Sequence, residues 1–299
     1  MEKQIHISKC PVCSTDNFKK LFICNDFLVS NEKFTLFKCE KCGFVFTQDF
    51  PCENAIGKYY DAPEYVSHSN TQRGVVNFLY HFARKIALRS KVKLVQKFAA
   101  LENGNLLDIG AGTGYFLNSM KNAGWTVSGI EKSVVAQTFA KQKFDLTLYD
   151  SEQIMKIADN SKDAITLWHV LEHIENMNDT LRNLYRILKP DGVLIVALPN
   201  RISADAHHYR QMWAAYDVPR HLWHFSPSDF NQIAEKHNFK LFKIKTMLFD
   251  PIYISILSEK HKSTFVATLV GMIKGVFFTI QSIFNKKNCS SLIYILKKQ

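Results

Sequence analysis

The stretch Asn105-Leu-Leu-Asp-Ile-Gly-Ala-Gly-Thr-Gly-Tyr115 constrains the fold more than any other in the chain. Leu106, Leu107 and Ile109 read as a short buried strand. Gly110, Gly112 and Gly114 then let the backbone turn sharply and approach a ligand with no Cβ in the way. A helix is predicted over 115–123, stopped by Gly124, with its free N–H groups and positive dipole end facing the turn. The unit reads as a nucleotide-type cradle. Apolar runs recur at 126–130, 146–148, 163–170 and 193–198, with helical stretches between them. That alternation predicts an α/β fold, a mostly parallel sheet with helices on both faces, which binds ligands at the carboxyl ends of its strands.

Spacing narrows the nucleotide. The dinucleotide fingerprint needs its third glycine where Tyr115 stands, and no Gly-Lys-Ser/Thr follows for a P-loop. Asp108-Ile-Gly-Ala-Gly-Thr-Gly114 resembles the first motif of the class I S-adenosylmethionine-dependent methyltransferases. Downstream intervals match that family. Glu131 ends the second strand, where an acid can accept both ribose hydroxyls. Tyr149-Asp150 sits where the family contacts adenine, Trp168-His-Val-Leu-Glu-His-Ile174 follows the fourth strand, and Lys189-Pro-Asp-Gly192 is a turn before the fifth. The resemblance covers about residues 100–250 plus the last strand. It implies a Rossmann-like seven-stranded sheet that holds S-adenosylmethionine through Asp108, Gly110, Gly112, Gly114, Glu131, Lys132, Asp150, Trp168 and His169.

With 299 residues and 46% hydrophobic content the chain can bury one full α/β core and a small second unit. The start, Met1-Glu-Lys-Gln-Ile-His, shows no apolar signal region, so the expected compartment is the cytoplasm, possible membrane association aside, with its thiols reduced. Cys10-Pro-Val-Cys13 and Cys39-Glu-Lys-Cys42 form two knuckles 25 residues apart, a set of four thiolates able to close a tetrahedral structural zinc site. So short a unit cannot bury much of a core, and metal binding would supply most of its folding energy. The bland alternative is four unconnected cysteines or a redox pair. Cys24, Cys52 and Cys289 have no partner pattern. A zinc unit ahead of such a core resembles the sugar methyltransferases that carry one. The expected domains are a zinc-ribbon-like unit at 1–60, a linker with a basic amphipathic helix at 61–99, and a methyltransferase domain at 100–299 with a helical insertion at about 250–289.

Between ribbon and core, Tyr60, Tyr65 and His68 are candidates to line the pocket or, equally, to pack as an aromatic linker. A long helix over 75–98 carries Phe78, Leu79, Phe82, Ile86, Val92 and Val95 as its apolar stripe. Net charge is +11, and Arg84, Lys85, Arg89, Lys91, Lys93 and Lys97 cluster on this helix, which favours an anionic partner.

Methyl transfer requires nucleophile, methyl and sulfur in line, water excluded, and a base if the nucleophile is a hydroxyl. Histidine suits that proton. His169, His173, the pair His207-His208 and His221 lie near the expected pocket, and a packed histidine is the bland reading of each. Trp168-His-Val-Leu-Glu-His-Ile174 resembles the Met-Glu-Val-Leu-Glu-His-Val stretch of the ubiquinone O-methyltransferases, where acidic and histidine side chains are linked to a divalent metal. His169 replaces the first acid here, leaving Glu172 and His173. Asp217-Val-Pro-Arg-His221-Leu-Trp-His224-Phe-Ser226 is the densest polar-aromatic cluster, and it lies where this family builds its acceptor site. His221 is the chosen base, with Arg220 available for an anionic acceptor; the equal alternative is that Arg220 and His221 only anchor the loop to the core. Ser226-Pro227-Ser-Asp229 is a helix start.

Two strands at 240–248 and 291–298 enclose an insertion whose segment 264–284 is apolar nearly to membrane-span length. Spanning would separate the last strand from its sheet, so a lid, a dimer helix or a helix in the membrane interface is expected. The resulting expectation is methyl transfer to a small-molecule, glycan or lipid-linked acceptor, at a hydroxyl, with membrane contact through 264–284. Nucleic acid is disfavoured, since the Asn/Asp-Pro-Pro-aromatic segment of base amine methylation is absent after the fourth strand. The alternatives are an RNA or protein methyltransferase using ribbon and basic helix as a platform, and a non-catalytic cofactor-binding module.

Overall fold

The computed structural model describes residues 4–61 and 75–299. Tyr65 and His68 lie outside the described residues, as do the side chains of Phe78, Leu79 and Phe82. The N-terminal part holds β1 (Gln4–Ile5), β2 (Phe18–Asn25), β3 (Lys33–Cys39), β4 (Val45–Thr47), β5 (Phe50–Pro51) and α1 (Glu53–Ile56), then a tight turn at Gly57–Tyr60. Helix α2 (Val75–Ala99) leads into β6 (Asn105–Ile109), α3 (Tyr115–Asn122), β7 (Thr126–Ile130), α4 (Val134–Phe144), β8 (Leu148–Tyr149), β9 (Lys162–Trp168), α5 (Met177–Ile187) and β10 (Leu188–Pro199). The remainder comprises α6 (Ala204–Tyr209), β11 (Trp223–His224), α7 (Pro227–Lys236), β12 (Phe239–Thr246), α8 (Asp250–His261), α9 (Ala267–Phe284) and β13 (Ser291–Lys298).

The central sheet has seven strands in the order β12-β13-β10-β9-β6-β7-β8. β8, β7, β6, β9 and β10 run parallel, and β13 inserts antiparallel between β10 and β12. Side-chain alternation sends neighbouring residues to opposite faces. Leu107, Ile165 and Leu194 pack under Leu181 and Leu184 of α5 and Phe230 of α7. Leu106, Ala164 and Val193 pack under Val95 and Phe98 of α2 and Leu117 of α3. Ile86, expected on that apolar stripe, is exposed instead. The turn expected at 189–192 runs on as strand, with a register shift between Leu188 and Val193 that absorbs the extra residues. Ser226 starts α7 with a full capping box to Asp229.

The small N-terminal sheet is completed from the core. Its order is β11-β4-β3-β2, with Trp223 opposite Phe46 and His224 opposite Val45. The ribbon and the loop at 217–226 therefore share backbone hydrogen bonds and one hydrophobic cluster, in which Phe44 and Phe50 meet Trp223.

Candidate active site

At the turn after β6, Gly110, Gly112 and Gly114 have φ of +68°, +53° and +79°. L side chains enter that region at a cost. A Cβ on Gly110 would fall 2.3 Å from Cγ2 of Val170, whereas one on Gly112 would meet nothing within 4 Å. Gly112 is the point of the loop left open. The amides of Gly110 and Ala111 donate to the carbonyl of Ile130 at 2.8 and 2.9 Å, tying the loop to the end of β7. Glu131 follows immediately, and its carboxylate accepts the N–H groups of Gly112 at 2.7 Å and Ser133 at 2.9 Å. The glycine loop and the acid thus meet at one spot. Gln137 of α4 joins them to the next strand, donating to the carbonyl of Glu131 at 2.6 Å and to Asp150 at 3.3 Å. Lys132 is exposed and pairs with Glu53. Asp108 lies buried beneath the loop and accepts the Thr166 hydroxyl at 2.6 Å. Burial pushes its carboxyl up to about 7, against the pull of Thr166 and the charge of Lys91.

Trp168 ends β9 edge-on to Phe116, and the ammonium of Lys91 sits 4.1 Å over its ring. His169 adopts φ +58°, a strained position for a residue with a Cβ. Its Nδ1 lies 3.5 Å from Glu172 and its Nε2 3.3 Å from Asp250. Burial opposes its charge, but Asp250 and Glu172 outweigh burial and raise it to about 9, so it is a cation at neutral pH. Asp250 opens α8, so the C-terminal insertion reaches directly into this cluster.

Glu172, His173 and His221 converge. Each offers a ligand atom, and the three atoms lie within 4.8 Å of one another. Nδ1 of His221 is 2.8 Å from the carbonyl of Ala215, and Nδ1 of His173 is 3.0 Å from that of Arg220 and 3.1 Å from the Tyr60 hydroxyl. A carbonyl only accepts, so each ring carries a hydrogen on Nδ1, and Nε2 of His221 lies 3.9 Å from the Asp217 carboxylate. Burial lowers His173 to about 4 and keeps it neutral. Glu172 is fully buried, and neither carboxylate oxygen has a hydrogen-bond partner. Its Oε1 faces the His169 ring at 3.5 Å, and a buried carboxylate so placed beside two further imidazoles fits a cation.

Other candidates sit elsewhere. Arg220, read as available to an anionic acceptor or as an anchor, is an anchor. Its guanidinium is buried and donates to Asp26 at 2.8 Å, Asp217 at 2.7 and 3.0 Å, and the carbonyl of Tyr59 at 2.7 Å. His207 bonds its own helix at Ser203, and His208 faces Lys274 of α9, so neither joins the cluster. Lys91, counted with the basic face, is instead turned inward onto Trp168. Lys91 and Asp250 are the site residues that sequence reasoning missed. Lys91 had a signal, because it stands one turn from Leu88 and Leu94 on the packed face. Asp250 had none, since its partner is far away in sequence.

In the ribbon, Cys10 and Cys42 have their sulfurs 3.6 Å apart, Cys13 and Cys39 3.5 Å, and all four fall within 4.8 Å. Tetrahedral Zn–S bonds of about 2.3 Å imply sulfurs about 3.8 Å apart, so the set fits a structural zinc.

The Methyltransferase domain family profile matches residues 80–244. The chain belongs to this family. It is 24% identical over 203 residues to the ubiquinone biosynthesis O-methyltransferase of Rickettsia typhi, covering 62% of this chain and 81% of that one. To the enzyme of the same name from Coxiella burnetii it is 25% identical over 175 residues, 54% and 74% of the two chains. Geranyl diphosphate C-methyltransferase from Streptomyces coelicolor A3(2), solved with Mg2+, geranyl diphosphate and S-adenosyl-L-homocysteine, shares the fold at a TM-score of 0.51 and 11% identity, covering 80% of this chain and 87% of that one. This methyltransferase is therefore an S-adenosylmethionine-dependent class I enzyme with the Rossmann-like sheet expected of it.

Proposed function

We propose that this methyltransferase transfers a methyl group to a hydroxyl of an amphipathic or lipid-linked small molecule, with His221 as the base. The convergence of His221 and His173 with the Glu172 carboxylate carries this reading. S-Adenosylmethionine supplies an electrophilic methyl on a sulfonium. Glu131 leaves the Gly112 amide and accepts the ribose hydroxyls, Gly112 lies against the methionine moiety, and Asp150 lies by the adenine. Lys132 is the weakest of the cofactor residues, because Glu53 already occupies it. Trp168 and the protonated His169 wall the acceptor pocket. The acceptor oxygen attacks the methyl carbon as the carbon–sulfur bond breaks, and its proton passes to Nε2 of His221. The ubiquinone O-methyltransferases among the relatives support a hydroxyl acceptor with an apolar tail. The apolar segment 264–284 supports an enzyme that meets this acceptor at a membrane.

A second reading has its own observation, the fully buried carboxylate of Glu172, which faces the His169 ring at 3.5 Å and makes no hydrogen bond. Glu172, His173 and His221 would hold a divalent cation there, which would orient and acidify an acceptor oxygen. The test is turnover with polyprenylated phenols and catechols against amines and soluble sugars, read as product heavier by one methylene. His221→Asn should abolish transfer while cofactor binding persists. Transfer to amines alone, or a His221 variant as active as the parent, refutes the hydroxyl reading, and metal-stimulated turnover favours the second.

A further inference from the structure

Helix α9 is packed with its small residues inward. Gly271 and Gly275 lie so close to α8 that a Cβ on either would fall 2.4 Å from the Cα of Ile256 or Ile252. Of its other residues only Phe278 and Ser282 are buried. Leu269, Ile273, Val276, Phe277 and Ile280 all face outward, and Phe265 and Phe284 at the two ends are 91% and 87% exposed. A helix docked on a water-soluble core turns its large apolar side chains inward. Glycines at the helix contact and bulky apolar residues outside is the arrangement of helices whose surroundings are hydrocarbon. Rotation that replaced Gly271 or Gly275 at this contact by a larger residue would drive its Cβ into the backbone of Ile256 or Ile252.

Charge identifies the occupant. Lys274, the one charged residue of α9, is drawn to Glu259 at 2.7 Å, so the outward face carries no charge. Exposed Lys260 and Lys262 precede the helix and Lys286 and Lys287 follow it. Residues 251–299 contain seven lysines and a single acid, Glu259. A second copy laid along α9 in either direction would set these lysine pairs against each other with no free carboxylate between them. Arg89, Lys93 and Lys97 of α2 and Lys245 of β12 line a groove of about 440 Å³ with no acid among its lining residues. Lys245 precedes Leu248 by three residues, at most about 11 Å of chain, and the Leu248 carbonyl accepts the Thr279 hydroxyl of α9 at 3.1 Å, so the groove lies near the helix.

We infer that α9 lies in the plane of an anionic membrane, its outer face among the acyl chains, with the basic groove and bracketing lysines on the headgroups. Spanning is excluded by β13, which follows α9 and is bonded between β10 and β12. Asp250, at the start of α8, contacts His169 at 3.3 Å, so the bilayer-facing hairpin ends at the acceptor pocket. Delivery of the acceptor from the bilayer rests on the acceptor reading above, while the surface itself does not.

The test uses the full chain and flotation with vesicles of pure phosphatidylcholine or of phosphatidylcholine with one-third phosphatidylglycerol. Binding is expected to the anionic vesicles, weakening as salt rises. Phe277→Glu with Ile273→Glu should reduce it by more than about tenfold. Lys93→Gln with Lys97→Gln should reduce it about thirtyfold on anionic vesicles and leave binding to neutral ones unchanged. Unchanged calorimetric titration with S-adenosylhomocysteine certifies that each variant is folded. Equal binding to both vesicle types overturns the headgroup assignment. No vesicle binding, whether the chain is monomeric or forms a dimer that Phe277→Glu dissociates, overturns the inference and leaves the methyl-transfer reading standing. Vesicle binding with no transfer to lipidic acceptors sinks the acceptor reading alone.

Discussion

Arg220→Ala tests whether the acceptor loop is clamped to the ribbon or merely rests on it. The guanidinium is 1% exposed and lies between Asp26 and Asp217, with the Tyr59 carbonyl as a third acceptor. Removing one side of a buried ion pair costs about 3–5 kcal/mol, because the opposing charge stays buried. Asp26 keeps other donors, the amides of Leu28, Val29 and Ser30 and the Ser30 hydroxyl. The lower end, about 3 kcal/mol, therefore applies, a large share of the 5–15 kcal/mol typical of a domain. Arg182→Ala is the control: its pair with Asp179 is solvent-exposed and contributes under about 1 kcal/mol. The pH dependence has a definite sign. Burial alone would raise Asp26, and Arg220 and Ser30 outweigh it, so its native pKa is depressed. In the parent this stabilisation is present above the unfolded value of about 3.9 and lost as pH falls through the native pKa. In the variant the carboxyl keeps its amide and Ser30 donors but loses the Arg220 charge, so it moves up, and the deficit should be largest at pH 7 and shrink as the pH falls toward 4.5. Urea unfolding at the two pH values, with equal m-values, measures both. A loss below 1 kcal/mol at pH 7, or one that grows in acid, refutes the clamp. Turnover should fall as well, since the carbonyl of Arg220 orients His173.

Three further outcomes are expected. Gly110→Ala should cost about 1–3 kcal/mol from its left-handed backbone, with more from the Val170 contact, and weaken cofactor binding; thermal denaturation and titration with S-adenosylhomocysteine check it. His221→Asn should lower kcat at least about a hundredfold with little change in cofactor affinity, consistent with loss of a general base. Removing zinc with a chelator, or Cys39→Ser, should lower the unfolding midpoint and, because Thr47 bonds the His221 carbonyl and the His224 ring, reduce turnover too; metal analysis of the purified chain gives the stoichiometry.

The glycine loop, the strand-end Glu131 and the alternating sheet were legible because each is encoded within a few residues of itself. Gly110 needs left-handed backbone, Glu131 follows its strand at a fixed interval, and Ser226 to Asp229 is a complete cap. What was not legible rests on contacts distant in sequence. The pairing of Trp223-His224 with β4 is a two-residue strand with no periodicity to read. The burial of Arg220 depends on Asp26, 194 residues away. His221 was singled out as one histidine among several, and its meeting with Glu172 and His173 emerges only when two separate loops close on the ribbon. Lys91 shows a further limit, because a lysine on a helix reads as solvated until an indole is placed under it.

The measurement that bears most directly on the whole account is calorimetric titration of the folded, metal-loaded chain and its Glu131→Gln variant with S-adenosylhomocysteine. Losing a charged acceptor for the ribose hydroxyls should weaken binding about tenfold to a hundredfold, with the unfolding midpoint unchanged. Equal affinity in the two proteins would contradict the placement of the cofactor between Gly112 and Glu131.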